Sequence, residues 1–557
     1  MAARSSGPAI AQALDDVSVE EDPREHSVRS SPAVRTSSAA RSDPAPGPAL
    51  ATKHPRVIMG AVMMATMMQM VDSTIANVAL PHMQASFSAA LDQISWVLTS
   101  YILATAIATP LIGWLSSRFG RKHVFLASIA GFTAASMMCG WAQNLEQMVL
   151  FRLLQGALGA MLGPLSQSIM FDLSPPGQQI RSMAVWSIGT ILGPLVAPAL
   201  GGWLTDEYSW RWCFFVNAPV GILAFAGLAT FLPEDRHQRG ISFDFFGFGM
   251  LAVAIGSLQL LLDRGQQLDW LYSNEILIEG GLTFAGLWMF GVHSAMAEKP
   301  FFSARLFSDR SFLSSMSIAF VTFALMFSST ALMPQLLQNL LGYPVFAAGM
   351  LSMPRGFGSI LGSLMVTRLS RHIDRRIIML TGMGFVCLSM WQMLGFSLHM
   401  DRQLVIWSGF IQGFGVMLTF IPLNVHLFAS LPVALRTEAM GLFSLVRSLA
   451  GSIGISIGTT MLARNIQVAH SDLVVHATVF NRVLNQSGPG GFWNLHTKVG
   501  LAALDAEINR QAAMVAYIDD FKLFLIAMIA AAPLLLLLKA GSQLRRSPEP
   551  SLAPPVE

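Results

Sequence analysis

The sequence predicts an all-α polytopic membrane protein with fourteen transmembrane helices. Hydrophobic residues make up 53% of the 557 residues, and Asp, Glu, Lys and Arg make up only 12%, about half of the roughly 25% found in ordinary globular proteins. So few charges cannot cover a soluble particle of this size, which excludes compact cytosolic and disordered classes. Apolar stretches of about 20 residues, the length that crosses about 30 Å of hydrocarbon, recur along the chain.

Each apolar stretch is expected to be a helix, because an isolated strand in lipid would leave its backbone groups unpaired. Cytoplasmic loops are enriched in Lys and Arg, so the distribution of these residues gives the orientation. With the N-terminus inside, the inner short loops carry fourteen Lys and Arg and the outer short loops carry three, which favours two cytoplasmic termini. The predicted spans begin near Val57, Gln93, Val124, Gln147, Ser182, Cys213, Phe243, Glu275, Phe312, Val345, Ile377, Gln403, Thr437 and Asp520.

Three segments lie outside these spans. Residues 1–55 are rich in Pro, Ser and Ala, with charges of both signs, and are expected to form a disordered cytoplasmic tail. Residues 540–557 are expected to form a second cytoplasmic tail. Between spans 13 and 14, residues 464–519 are expected to form an extracytoplasmic cap, in which the turn QSGPGG (486–491) separates two short helices.

A weak internal repeat predicts the domain organisation. The inner loop after span 2, GWLSSRFGRKHV (113–124), is similar to the loop after span 10, GSLMVTRLSRHIDRRI (362–377). Transporters are commonly built from such repeats. We therefore expect two parallel six-helix bundles at residues 56–235 and 312–539, with a two-helix insertion at residues 236–311.

Charged side chains inside spans are the functional candidates, since a charge in hydrocarbon costs at least about 2.5 kcal/mol. Asp72, the only acid deep in a predicted span, and Arg152 lie at similar depths in spans 1 and 4, roughly 12 and 8 Å below the outer surface at 1.5 Å per residue. A buried acid beside a cation can exchange a proton as its exposure alternates. The pair is interpreted as a proton-coupling site, with a static ion pair between helices as the alternative.

Two further arginines, Arg355 and Arg447, fall near the middle of spans 10 and 13, and Asn424 and His426 fall deep in span 12. The Pro and Gly of MPRGFG (353–358) are expected to free backbone carbonyls that neutralise the guanidinium of Arg355. Three buried arginines against one acid would leave a positive interior suited to anionic or weakly acidic lipophilic cargo. A purely structural role for these arginines is the alternative.

Other motifs exclude several functions. GISIG (454–458) has the G-x-S-x-G pattern of a hydrolase nucleophile, but it lies inside an apolar span without the strand-turn-helix context. No P-loop and no H-E-x-x-H occurs, so no ATP site, metal site or other cofactor is expected, and transport would use an ion gradient. The net charge of +3 is too balanced to suggest nucleic-acid binding.

Five stretches, taken together and in this order, resemble the major facilitator superfamily, and within it the fourteen-span drug:proton antiporters of the EmrB/QacA type, closest to EmrB-like multidrug efflux permeases. The resemblance extends from about Arg56 to Lys539. The stretches are DSTIANVALP (72–81), GWLSSRFGRK (113–122), RLLQG (152–156), GTILGPLVAPALGG (189–202) and WRWCFFVNAPVG (210–221).

The resemblance implies the major facilitator fold and a role for each motif. Asp72 belongs to the span 1 signature, and Arg152 is implied to take part in proton transfer. The implied antiporter motif comprises Gly189, Gly193, Pro194, Pro198, Gly201 and Gly202. The implied gating loop, which controls alternating access, comprises Gly113, Arg118, Gly120, Arg121 and Lys122. This sequence departs from the family at Ser117, where the loop usually has Asp, and at Ala197, where the antiporter motif usually has Gly.

The implied function is proton-coupled efflux of lipophilic, including weakly acidic, toxic compounds across the cell inner membrane. A carrier specific for a lipid, siderophore or metabolite is the alternative. EmrB-like pumps of Gram-negative bacteria work with a periplasmic membrane-fusion adaptor and a TolC-like outer-membrane channel. The resemblance therefore implies these partners, with the 464–519 segment as their docking surface, together with small-molecule substrates and the lipid bilayer.

Overall fold

The computed structural model describes residues 54–175, 178–234, 242–298, 300–303, 306–307, 310–429, 431, 433–477 and 497–537. These residues are helical almost throughout, and helices and short turns make up every element found among them. The predicted disordered tail, apart from its last two residues, lies outside the described residues, as do the predicted tail 540–557 and the predicted turn QSGPGG.

The first half of the chain forms six long helical segments, three of which are divided by short breaks. A 3-10 turn, Thr109–Leu111, joins α3 to α4, while α6 and α7, like α9 and α10, follow one another closely. The α-helices are Pro55–Phe87 (α1), Leu91–Ile94 (α2), Trp96–Ala108 (α3), Ile112–Phe119 (α4), Arg121–Trp141 (α5), Leu145–Gly159 (α6), Leu162–Asp172 (α7), Gln179–Glu207 (α8), Trp212–Phe215 (α9) and Asn217–Phe231 (α10).

The rest of the chain supplies two inserted helices and a second half of six. A π-helical turn, Leu336–Leu340, follows α13, and a 3-10 helix, Ala532–Leu537, follows α18. The helices are Phe245–Arg264 (α11), Asn274–Met296 (α12), Arg310–Gln335 (α13), Val345–Leu369 (α14), Arg375–Met393 (α15), Arg402–Ala429 (α16), Val433–Val474 (α17) and Lys498–Ala531 (α18).

Twelve helical segments of the described chain are long and apolar enough to cross a membrane. Helices α14 and α18, with 25 and 34 residues, are not among those twelve, and they occupy the places of the tenth and fourteenth predicted spans. Thirteen of the fourteen predicted spans begin within about four residues of the first residue of an observed helix. The all-helical membrane fold predicted from composition is therefore confirmed, and fourteen spans remain the prediction for the whole chain.

The prediction was wrong about where the last helix begins. Helix α18 starts at Lys498 and not near Asp520, and α17 continues to Val474, well past the predicted end of span 13. At 1.5 Å per residue, helices of 42 and 34 residues measure about 63 and 51 Å, which exceeds the roughly 30 Å of hydrocarbon. The predicted second short helix of the outer segment is therefore a continuation of the last span.

Helix packing repeats between the two halves. In the first half α1 packs on α8, α3 on α6, and α5 on α6; in the second half α13 packs on α17, α14 on α16, and α15 on α16. Each contact of the first half thus has a counterpart between the corresponding helices of the second. The halves meet where α8 packs on α14 and where α4 and α7 pack on α17, and the inserted α11 and α12 pack on each other beside α3 and α17.

Candidate functional site

A buried ion pair links α1 to α6. Nη1 of Arg152 donates to Oδ2 of Asp72 at 2.8 Å, and the two side chains are 1% and 0% exposed. The contact predicted from their depths in spans 1 and 4 is therefore present as a direct hydrogen bond. Charge-assisted bonds of this kind are roughly twice as strong as neutral ones, and removing one partner leaves an uncompensated buried charge.

Two amides complete the shell around the carboxylate. Nε2 of Gln155 and Nδ2 of Asn217 each donate to Oδ1 of Asp72 at 2.8 Å. Asn217 also donates to the hydroxyl of Ser136 at 2.9 Å, so α1, α5, α6 and α10 all contribute to one buried network. The sequence analysis did not identify Gln155, Asn217 or Ser136, although the first two stand as polar residues inside the quoted stretches RLLQG and WRWCFFVNAPVG.

Arg152 has further contacts that do not involve Asp72. Its Nη1 donates to Oε1 of Gln155 at 2.8 Å, and its Nε donates to the carbonyl of Val97 at 3.2 Å. Its guanidinium lies 4.2 Å from the ring centre of Tyr101, within the range of cation–π attraction. The guanidinium is thus held in place by α3 and α6 themselves, and Asp72 can lose its charge without leaving Arg152 unsupported.

The predicted antiporter motif lies on α8 and packs against α1 on both sides of Asp72. A Cβ at Gly193 would lie 2.6 Å from Cβ of Met70, and a Cβ at Gly201 would lie 2.7 Å from Ile75. Gly189 likewise lies against Met63, whereas a Cβ at Gly202 would meet nothing within 4 Å. Helix α8 runs without interruption through both motif prolines, Pro194 and Pro198. The motif therefore provides the close approach that holds α1 and its carboxylate.

An inner clamp connects the two halves at the predicted cytoplasmic end. Oδ2 of Asp172, at the end of α7, accepts from Arg121 at 2.6 Å, and Oδ1 accepts from Arg436 of α17 at 3.0 Å. The carboxylate is 1% exposed and the two arginines are 13% and 14% exposed. One acid of the first half thus binds the predicted gating loop and the second half together, and the sequence analysis did not identify Asp172 or Arg436 as its partners.

The rest of the gating loop forms the joint between α4 and α5. Gly120 has φ of +83°, a conformation that glycine adopts without strain, and it lets the two helices meet at a sharp angle. Gly113 is buried against α17, since its Cβ would lie 3.2 Å from atoms of Glu438. Arg118 is exposed and Lys122 is half-buried, and neither forms an ion pair with a described residue.

Glu438 provides a carboxylate close to the gating loop, in which Ser117 replaces the Asp that is usual in the family. This glutamate of α17 accepts a 2.6 Å hydrogen bond from the backbone N–H of Ser303, in the segment that leads from the insertion to α13. A carboxylate therefore lies against the gating helix although the loop itself carries Ser117. It comes from the opposite half of the molecule.

Arg355 has different partners from those predicted. Helix α14 continues through Pro354, and the Arg355 guanidinium donates to the hydroxyls of Ser329 and Thr330 at 2.6 and 2.5 Å. The predicted neutralisation by freed carbonyls is therefore wrong, because the proline does not break the helix and α13 supplies hydroxyls instead. No described carboxylate forms an ion pair with Arg355.

The other predicted cavity residues lie at three different places. Arg447 forms no hydrogen bond with a described residue, and its Nη2 lies 4.0 Å from where a Cβ at Gly163 would be. Asn424 accepts a 2.6 Å bond from Gln167 across the two halves. His426 lies in the last turn of α16, 3.0 Å from the hydroxyl of Ser311, and not deep in the helix as predicted. Arg447 and Asn424 thus lie where the two halves meet, whereas the hydrogen bonds of Arg355 to described residues are all within the second half.

A second fully buried acid corrects the prediction that Asp72 is alone. Asp520, on α18, is 0% exposed, and neither of its carboxylate oxygens has a hydrogen-bond partner among the residues that the structure describes. From the sequence, Asp520 was predicted to lie at the beginning of a span, near the membrane surface, where a charged side chain is common. Because α18 begins more than five turns earlier, Asp520 lies inside the helix and not at its end.

Comparison with known proteins gives a family match. The model of the Major Facilitator Superfamily matches residues 62–455, which contain the Asp72 network, the antiporter motif and the inner clamp. The crystal structure of the human organic anion transporter MFSD10 (TETRAN) has a similar fold, with a TM-score of 0.57 at 15% identity, covering 85% of this chain and 99% of that one.

Two bacterial relatives extend over most of the chain. The multidrug export protein EmrB of Escherichia coli strain K12 is 36% identical over 423 residues, covering 76% of this chain and 83% of the relative. The fatty acid resistance protein FarB of Neisseria gonorrhoeae is 33% identical over 426 residues, covering 76% and 84%.

Proposed function

The chain belongs to the major facilitator superfamily, and from this premise we propose that it exports lipophilic compounds, weakly acidic ones included, in exchange for protons. As a member of this family it is a multi-pass transport protein rather than an enzyme. The names of two relatives support the proposed cargo, since one is a multidrug export protein and the other a fatty acid resistance protein.

The observation that carries the proposal is the buried network around Asp72. Arg152, Gln155 and Asn217 all donate to its carboxylate, and none of these three side chains carries a negative charge. Protonation removes the charge that Arg152 pairs with, while Arg152 keeps Gln155, the Val97 carbonyl and the Tyr101 ring. The ionised and the protonated states of Asp72 therefore stabilise different arrangements of α1 against α6. This is what coupling to a proton gradient requires.

Alternating access is proposed to depend on the inner clamp and the gating loop. Opening towards the cytoplasm must separate Asp172 from Arg436, and Gly113 from Glu438, because each pair joins the two halves. Both contacts are made in this structure, so we infer a state closed on the proposed cytoplasmic side. Gly120 and Arg121 are proposed to transmit movement of α4 and α5 to the clamp, with Arg118 and Lys122 facing the cytoplasm.

The cargo is proposed to bind between the halves, near Arg355, Arg447 and Asn424. Arg355 and Arg447 have no acidic partner among the described residues, so the positive charge of each guanidinium is not neutralised by an ion pair there. Such a potential favours lipophilic acids over lipophilic cations. His426 is assigned to the cytoplasmic mouth of the same path, where it contacts Ser311.

The membrane and its partners follow from the same proposal. We place the protein in the inner membrane with both termini cytoplasmic, on the basis of the Lys and Arg distribution. The helical extensions of α17 and α18, linked by His470 and Asp505 at 3.0 Å, then project on the periplasmic side. They are proposed to dock a membrane-fusion adaptor that leads to a TolC-like outer-membrane channel.

Reconstitution in liposomes tests the function. Two permanently charged probes, naphthalenesulfonate and ethidium, are offered with an imposed pH gradient at clamped membrane potential. Gradient-driven movement of either probe, absent from protein-free liposomes, is expected. Movement that is indifferent to the pH gradient would overturn the proposal. Movement of a single lipid or metabolite, without movement of either probe, would instead indicate a carrier specific for that compound.

A further inference from the structure

The two halves carry equivalent polar positions at a constant separation. Gln167 of α7 and Asn424 of α16, which hydrogen-bond to each other, are 257 positions apart. Gln155 and Gln412 have the same separation on the same two segments. A pair of equivalent residues can touch only near the axis that relates the halves, so Gln167 and Asn424 mark that axis.

Glycine contacts support the same register. A Cβ at Gly156 would lie 2.4 Å from the carbonyl oxygen of Tyr101, and a Cβ at its equivalent, Gly413, would lie 2.0 Å from the carbonyl oxygen of Arg355. Tyr101 and Arg355 therefore occupy matching places on α3 and α14. In the first half, Tyr101 occupies this place and its ring lies against the guanidinium of Arg152. In the second half, Arg355 occupies it and supplies a guanidinium of its own.

The residues equivalent to the proton site lack its charges. The position equivalent to Arg152 is Gly409, where a Cβ would lie 3.8 Å from Cβ of Arg355. The position equivalent to Asp72 is Ser329, whose hydroxyl accepts from Arg355 at 2.6 Å. The second half thus keeps a guanidinium, supplied from the neighbouring helix, and replaces the carboxylate with a hydroxyl.

The resulting site has donors but no anion. Arg355 contacts Ser329 and Thr330, and Nε2 of Gln412 donates to the same Ser329 hydroxyl at 3.0 Å. Gln412 is 1% exposed, whereas Thr330 is exposed and Arg355 is partly exposed, so the site is open on one side. An arginine in a low-dielectric interior without a counter-ion is costly, and a carboxylate satisfies its two parallel N–H groups.

We propose that Arg355 and Gln412 donate to the carboxylate of the cargo, which lies beside Ser329 and Thr330 and takes the place that Asp72 holds in the first half. The two hydroxyls do not donate to it, because each already donates to the carbonyl of Met326. This inference rests on the proposed function and specifies one point of it. The cargo class is a lipophilic monocarboxylate. The bound carboxylate supplies the anion that this site lacks among the described residues.

Equilibrium binding tests the site without any gradient. Purified protein in detergent is titrated with tritiated naphthoate and with naphthamide, its neutral analogue, in a scintillation proximity assay. Wild-type protein is expected to prefer naphthoate. Arg355→Gln is expected to lower the ratio of the two affinities by about tenfold to a hundredfold, as for loss of a charge-assisted hydrogen bond, while naphthamide still binds.

Two variants make the test specific. Ser329→Asp restores the carboxylate of the first half, so it is expected to pair with Arg355, keep the protein folded and abolish naphthoate binding. Arg368→Gln removes an exposed guanidinium in the last turn of the same helix, α14, and is expected to leave the affinity ratio within about twofold of wild type. The proposal is overturned if Arg355→Gln leaves the ratio unchanged, if Arg368→Gln lowers it equally, or if Ser329→Asp binds naphthoate normally. Because no pH gradient is used, failure of proton coupling gives a different result from failure of this site.

Discussion

Asn217 donates a 2.8 Å hydrogen bond to Oδ1 of Asp72, whereas Arg152 donates to the other carboxylate oxygen, Oδ2. It belongs to α10 and also contacts Ser136 of α5, so it ties the last helix of the first half to the proton site. The ionised carboxylate therefore depends on three helices besides its own. Any movement that separates them changes how well the charge on Asp72 is stabilised.

Replacing Asn217 tests this dependence. Asn217→Leu is expected to slow efflux driven by a pH gradient about tenfold, because a hydrogen bond to a buried charge contributes about 1.5–3 kcal/mol. The initial rate in proteoliposomes measures the effect. Asn77→Leu is the control, since Asn77 is exposed on α1 and bonds only to the carbonyl of Ser73. Equal rates in the two variants would exclude Asn217 from the site.

The inner clamp predicts a change in accessibility. Asp172→Asn removes the charge that holds Arg121 and Arg436, so the cytoplasmic side is expected to open more often. In a background without native cysteines, a cysteine at the buried position of Asn424 should then react several-fold faster with a membrane-impermeant maleimide added to inside-out vesicles. Asp374→Asn is the matched control, because Asp374 caps α15 in an inner loop outside the clamp. An unchanged labelling rate in Asp172→Asn would contradict the clamp.

The antiporter motif contains its own control. Gly193→Ala places a methyl group 2.6 Å from Met70, so it is expected to destabilise the protein by about 1–3 kcal/mol and to impair transport. Gly202→Ala, nine positions further along the same helix, meets nothing within 4 Å and should be neutral. Thermal unfolding in detergent and the initial efflux rate measure both. Equal effects at the two positions would show that the motif does not act through contact with α1.

Asp520 gives a prediction about stability. Its carboxylate is fully buried and has no hydrogen-bond partner in the described part of the chain, and burying an unpaired charge is costly. Asp520→Asn is therefore expected to raise the midpoint of thermal unfolding at alkaline pH. Asp519→Asn, next to it but exposed, should leave the midpoint unchanged. A lower midpoint in Asp520→Asn would mean that the acid has a stabilising partner.

Much of the fold and the central ion pair could be predicted from the sequence. Long apolar runs fix the helices, because lipid allows little else, and isolated charges such as Asp72 and Arg152 stand out against them. Both are local properties of the sequence. Their depth within a span follows from counting residues, which is why direct contact between them could be predicted.

The misplaced features depend on packing that the sequence does not show. Gln155 and Asn217 are neutral, and only the fold brings them to Asp72. The polar first half of α18 was predicted as a separate short helix of the outer segment, although it is continuous with the last span. Pro354 suggests a broken helix, but neighbouring helices allow α14 to continue through it.

Coupling of transport to the proton at Asp72 is tested most directly by one measurement, the dependence of efflux on an imposed pH gradient in Asp72→Asn. The amide keeps the shape of the side chain but cannot exchange a proton at this site. The account predicts that the variant folds and that its transport no longer responds to the gradient, whereas Asp206→Asn, an exposed change on α8, responds as wild type does. Gradient-driven efflux in Asp72→Asn at the wild-type rate would contradict it.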